Sequence, residues 1–262
     1  MNVIEDIEKL YARLDDLCRV ADRGDVGVSD FLSPRELHYA KVYLKRADAR
    51  FICFGGYEGA ERERIFLLPD YMEGITDANG LAEYGYDLPV GALSIRSAGY
   101  RKLTHRDYLG SVLGLGVERE VLGDILVYGD DGVSAAIFCK EELTPFFVSE
   151  LVKVANEKVK CEAIPLSSVK APERRMAQIN DTVASSRVDC VVGALCSLSR
   201  EKARAAVTSG LVEVDFEPEL RPDRAVISPC ILSVRGVGRF RVLSVDDKTK
   251  KGRYRLVAEK FL

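Results

Sequence analysis

The 262-residue chain has no tryptophan and only two histidines. Its seven cysteines, Cys18, Cys53, Cys139, Cys161, Cys190, Cys196 and Cys230, are scattered and never spaced C-x-x-C. That pattern argues against a zinc site and against a disulfide frame, and for reduced thiols in a cytoplasm. There is no run of about 18 apolar residues, so no membrane span is predicted. The start, MNVIEDIEKLYARLDDL, is charged and amphipathic, so no secretory leader is expected. A surplus of positive charge is also missing: 38 Lys and Arg stand against 41 Asp and Glu, a net −3. Taken as a whole-chain average, that weighs mildly against a nucleic-acid binder, which neutralises phosphates with Lys and Arg. Apolar residues make up 47%, enough for a sizeable core, and the length suggests two domains or three small ones.

Residues 3–22 place Ile4, Ile7, Leu10, Leu14 and Leu17 at helical spacing. After a break at 23–29, Ser33, Pro34 and Glu36 form an N-cap, first-turn proline and third-position acid, so a helix is predicted from Pro34 to Lys45. Strands are predicted at 50–56 and 65–68, with a helical turn over 58–64 between them. The glycines of Phe54–Glu61 (FGGYEGAE) lack the Gly-Lys-Ser/Thr ending of a P-loop and read as a strand-to-helix turn. Arg62 and Arg64 read as surface charges.

The middle segment runs strand (90–97), helix (104–113), strand (124–128), strand (133–139), helix (144–155), strand (159–165). That is the order of a ferredoxin-like plait, which RNA-recognition modules share with many unrelated proteins. Residues 167–181 are polar and read as a linker. Beyond Thr182 come two helices, the second capped by Ser199 and stopped by Gly210, and then a small antiparallel sheet. The predicted fold class is therefore α+β, with three small domains at 1–75, 76–166 and 182–262.

Splitting the chain at Thr182 changes the charge argument. Residues 182–262 hold 15 Lys and Arg against 10 Asp and Glu, a surplus of 5, which leaves −8 on residues 1–181. Such asymmetry marks a nucleic-acid-binding module attached to something else.

The basic part carries the strongest motif. Arg187, Val188 and Asp189 form an R-V-D start; Ser199, Arg200, Lys202 and Ala203 open a second helix; Gly210, Val212, Val214 and Asp215 follow as turn and strand. This set resembles the S-four domain, the RNA-binding module first described in ribosomal small-subunit protein four. The physical chemistry agrees. The start of a helix at Ser199–Arg200 offers free N–H groups and a positive dipole end to phosphate. Arg200 and Arg204 lie one turn apart on one face, whereas Lys202 points elsewhere. Arg187 reaches the same surface if the helices pack together. Asp189 reads as the orienting partner of an arginine, and a purely structural Arg187–Asp189 ion pair is compatible with that. Asp215 stands where asparagine is common in the motif.

A second basic cluster spans 235–255, with Arg235, Arg239, Lys250, Lys251 and Arg253 among its cations and Phe240 and Tyr254 interleaved. Its KTKKGR segment reads as a hairpin tip reaching outward. Any RNA binding through these groups is strongly salt-dependent.

The chain as a whole resembles the YlmH family. The resemblance rests on FLSPRE, FGGYEGAER, KLTHRDYLGSVLGLGVEREVLGDI, VASSRVD, SVRGVGRF and TKKGR, in order over nearly the full length. It implies an N-terminal α/β domain, an RRM-like plait and an S-four domain. It further implies binding to rRNA and peptidyl-tRNA on the large ribosomal subunit during rescue of stalled translation, beside a partner factor that adds alanine tails. That is a binding role without catalysis, cofactor or metal, for a cytoplasmic protein that is monomeric off the ribosome. Two alternatives are an rRNA-modifying enzyme or its accessory, which S-four domains also accompany, and a cell-division scaffold.

In the middle segment His105–Asp107 (HRD) has none of the other kinase motifs, and Gly114 and Gly116 do not complete G-x-G-x-x-G. The local reading is a helix ending in glycines. His105 and Asp107 read as its capping residues, or else Lys102, His105 and Arg106 present a secondary basic face for RNA.

Overall fold

The computed structural model describes residues 3–171, 176–249 and 252–261. The chain divides into two units, Met1–Pro172 and Glu173–Leu262.

In the first unit, α1 (Val3–Asp22), β1 (Gly27–Val28), α2 (Pro34–Arg46), β2 (Phe51–Phe54) and β3 (Arg64–Leu67) come first. The capping box forms as the sequence requires: Ser33 Oγ accepts from Glu36 N, and Glu36 Oε2 accepts from Ser33 N at 2.7 Å. The small sheet has the order β1-β3-β2. One of its faces packs Ile65 and Leu67 against Leu10, Leu14, Leu37 and Leu44 of the two helices.

Next come α3 (Ala78–Glu83), β4 (Val90–Ser97), α4 (His105–Leu113), β5 (Leu122–Tyr128), β6 (Ser134–Lys140), α5 (Thr144–Glu150), β7 (Lys153–Val154) and β8 (Glu157–Ile164). The sheet order is β5-β6-β4-β8-β7, antiparallel throughout. Without the short β7 this is the ferredoxin-like plait. Helix α5 stops at Glu150, before the predicted Ala155: the backbone leaves helical geometry at Leu151 (φ −82°, ψ 71°), and Ala155, with a left-handed φ of 52°, turns β7 into β8. Leu93, Ile95 and Ile137 face α4 and α5, packing on Tyr108, Val112 and Phe147.

The opposite face of the plait packs on the N-terminal layer. Val90, Ala92 and Phe138 share one core with Phe31, Ile52, Phe66 and Leu68 of the small sheet. Residues 1–75 and 76–166 are therefore packed together as layers of one compact unit. The FGG segment makes the contact. Gly56 has φ 103°, and a Cβ there would lie 2.3 Å from the Phe138 ring. Tyr57 stacks on Phe138 with centroids 5.0 Å apart.

The helical turn expected at 58–64 does not form. Glu61 N and Arg62 N donate instead to the Asp124 carboxylate, at 2.7 and 3.0 Å. Nor are Arg62 and Arg64 surface charges. Arg62 donates to the carbonyls of Leu122 and Phe31, at 2.9 and 2.8 Å, and the buried Arg64 donates to those of Ser29 and Pro89, at 2.7 and 2.5 Å. A guanidinium with five donors can satisfy several loop carbonyls at once.

The second unit contains β9 (Met176–Val183), α6 (Val188–Leu195), α7 (Arg200–Thr208), β10 (Val212–Val214), β11 (Glu217–Pro218), β12 (Cys230–Val234), β13 (Gly238–Lys248) and β14 (Tyr254–Phe261). One sheet, β11-β10-β12-β13-β14-β9, holds all six strands. Val188, Val191, Val192, Ala203 and Val207 of the helices pack on Leu232, Phe240, Val242 and Leu256. The predicted linker is corrected here: residues 176–181 belong to β9, which pairs along β14 from Phe261↔Met176 to Tyr254↔Val183. As an edge strand it needs apolar groups on one face only, which Ile179 and Val183 supply, and that explains its polar appearance.

Candidate nucleic-acid interface

Arg187 is the N-cap residue of α6, and its guanidinium grips Asp189 through Nε–Oδ1 (3.0 Å) and Nη2–Oδ2 (2.6 Å). Asp189 is 1% exposed, whereas the Arg187 side chain keeps about a third of its surface. Burial pushes the Asp189 carboxyl up, but hydrogen bonding and charge from Arg187 outweigh it and hold the group below the usual carboxylate range. The carboxylate thus fixes the guanidinium at the protein surface, and both sequence readings of this pair coexist.

The loop 221–226 runs against the start of α6. Val188 N donates to Arg224 O at 2.8 Å and Asp189 N to Pro222 O at 3.1 Å. Glu219 is buried and binds Arg224 Nη1 through Oε2, while its Oε1 accepts from Arg221 N at 2.9 Å. Burial raises the Glu219 carboxyl, and Arg224 and Arg221 more than reverse this. Two exposed arginines, Arg221 and Arg224, are therefore brought beside Arg187. The sequence signal was E-L-R-P-D-R, a short loop with no helical or strand period.

Ser199 caps α7, its Oγ accepting from Lys202 N. Ser199, Arg200, Lys202 and Arg204 are all exposed. Arg200 lies close enough to Cys190 on α6 to pull its thiol downward, although burial and Asp189 leave that thiol raised overall.

Arg253, at the start of β14, donates through Nε to Thr182 Oγ1 (2.9 Å) and through Nη2 to Thr182 O. A depression of about 270 Å³ is lined by Thr182, Asp189, Cys190, Arg200 and Arg253. The structure therefore unites Arg200 and Arg253 with Asp189, the carboxylate that holds Arg187.

Arg235 and Arg239 lie elsewhere. They line a second depression of about 530 Å³ with Gly210 and Glu213, beyond the C-terminal end of α7. The Arg239 guanidinium sits over Phe216 and Phe261, at 5.9 and 6.0 Å. The single basic cluster expected at 235–255 is thus corrected to two patches. Strand β13 is 11 residues long, roughly 35 Å, and it carries the two groups to opposite ends of the hairpin. Lys250 and Lys251 lie outside the described residues. Asp215 is a turn residue: φ is 50°, and its Oδ1 accepts from Ile231 N at 2.9 Å.

In the first unit Lys102, His105 and Arg106 are exposed around the start of α4. Thr104 and Asp107 make the capping box there, with Asp107 Oδ2 accepting from Thr104 N at 2.8 Å. His105 is the first residue inside the helix, not a cap. Desolvation and then the charge of Arg119 lower its pKa, against weaker pulls from Asp124 and Glu61, so the imidazole is neutral at pH 7. Arg119 itself falls to about 10, mainly through desolvation and then Arg62. Among the described residues no helix is long and apolar enough to cross a membrane.

Comparison with known proteins covers both layers of the first unit. Residues 5–72 match the family described as "YlmH, N-terminal", and residues 91–168 match "Putative RNA-binding domain in YlmH". A Bacillus subtilis (strain 168) protein named ribosome-associated protein quality control protein P2 is 31% identical over 234 residues, covering 89% of this chain and 86% of the relative. The solved structure titled cell division protein ylmH from Streptococcus pneumoniae aligns with a TM-score of 0.50 at 24% identity. That alignment covers 66% of this chain and 98% of the other, and it supports the fold.

Proposed function

The chain belongs to the YlmH family, and from that premise we propose that it is a ribosome-associated RNA-binding protein of translation quality control. Its second unit grips the large ribosomal subunit carrying peptidyl-tRNA, while a partner factor adds alanine tails. The role is binding and holding in the cytoplasm, without catalysis, and the free protein is a monomer.

One observation carries the reading: Arg200 and Arg253 line the same depression as Asp189, the carboxylate that clamps Arg187, next to the capped start of α7. The arrangement offers guanidinium donors and free helix N–H groups to successive phosphates. The buried Asp189 holds one arginine in place before RNA arrives, which limits the ordering cost of binding.

The test is co-sedimentation of the full chain with purified large subunits, with and without peptidyl-tRNA. Binding that strengthens with peptidyl-tRNA supports the reading. Association with small subunits alone, or with neither, contradicts it.

A further inference from the structure

The plait sheet is covered on its second face only in part. Across three of its strands the row Ile164–Ala92–Phe138 lies under the small sheet. Four residues further along these strands, the row Lys160–Arg96–Ser134–Tyr128 sits on the same face, in register through Arg96↔Lys160, Arg96↔Ser134 and Tyr128↔Ser134. Arg96 and Lys160 are exposed, and Ser134 and Tyr128 are half-buried.

We infer that this uncovered row is a second RNA site, one that takes single-stranded RNA. It rests on the RNA-binding reading of the protein and assigns that activity a separate place in the first unit. Three features of the row fit such a strand. Its β8 end is cationic, with exposed Lys158 following Lys160 on the same face. The carboxylate beside Lys160 on that face, Glu162, is paired with it at 2.7 Å. That pair is exposed on both sides and worth little, so phosphate can replace the carboxylate. The β5 end supplies the Tyr128 ring, whose hydroxyl is pushed up by burial and so stays a neutral donor. Cations at one end and an aromatic face at the other suit a backbone crossing the sheet with a base stacked on the ring. Duplex RNA offers no free base face, so the row favours an unpaired strand.

The experiment measures binding of a fluorescent oligouridine, about 12 nucleotides long, to the full chain over a salt series. Arg96→Gln with Lys160→Gln is expected to weaken binding at least about 10-fold and to flatten the log–log salt slope by roughly 1.4, two phosphate contacts' worth. Tyr128→Leu is expected to weaken binding at least about 5-fold while leaving the slope unchanged. Melting curves establish that each variant is folded. Wild-type affinity in both variants overturns the inference. A wild-type chain that ignores oligouridine but still sediments with large subunits overturns it too and leaves the proposed function standing. A chain that does neither removes both.

Discussion

Arg187 and Asp189 form a two-bond clamp across the first turn of α6, with the carboxylate buried and the guanidinium half out in water. The clamp makes Arg187 both a structural and a surface residue. Replacing it with Ala strips the bonded arginine from a buried carboxylate, so lost binding in that variant mixes two causes. Asp189→Asn reports on the structural part. Because the folded-state pKa of Asp189 is depressed, its stabilisation is present above the ordinary carboxylate pKa of about 3.9 and fades as pH falls through the lower folded value. The expected outcome is a lower Tm for Asp189→Asn at pH 6–7 and a gap that narrows below about pH 4. A gap that does not change with pH would show that the carboxylate charge is immaterial.

Arg200 and Arg253 share one depression, whereas Arg235 lies beyond the far end of α7. Double-mutant cycles on subunit binding should separate these arrangements. Arg200→Ala with Arg253→Ala is expected to be non-additive by about 0.5 kcal/mol or more, and Arg200→Ala with Arg235→Ala additive within about 0.5 kcal/mol. The reverse pattern would mean that the cations of 235–255 act as one group.

Much of this fold is legible in the sequence. The helix starts at Ser33, Thr104 and Ser199 follow from local capping chemistry, which a few adjacent residues decide. The plait order followed from alternating apolar patterns. What escaped was long-range. Nothing near Glu61 or Arg62 announces that their N–H groups belong to Asp124, more than 60 positions away. Arg64 looked exposed because arginine usually is, and only the assembled loops supply the carbonyls that let it be buried. The edge strand 176–183 looked like a linker because one of its faces meets water. The site residues were named one by one from the motif, but their division into two patches depends on the length of β13.

Gly56 joins the two layers of the first unit. Gly56→Ala puts a methyl group 2.3 Å from Phe138 at a φ of 103°. The expected loss of stability is about 2 kcal/mol or more, read from urea unfolding. A variant as stable as the wild type would show that the FGG segment can withdraw from the plait.

His105 is held neutral by desolvation and Arg119. Its pKa lies below the ordinary 6.5, so it stays mostly uncharged as pH falls from 8 to 7, and RNA affinity over that range should be the same for His105→Gln as for the wild type. An affinity gain on acidification that vanishes in His105→Gln would make the imidazole a titrating RNA contact.

The central claim is that the arginines at the start of α7 hold the ribosome. Arg200→Ala with Arg204→Ala leaves the α6–α7 core untouched, since both side chains are exposed. Co-sedimentation of this variant with large subunits, followed across a salt series, tests the claim most directly. The account expects a folded protein whose association is lost or weakened at least about 10-fold, with a salt slope shallower by one to two units. Undiminished co-sedimentation with an unchanged slope would contradict it.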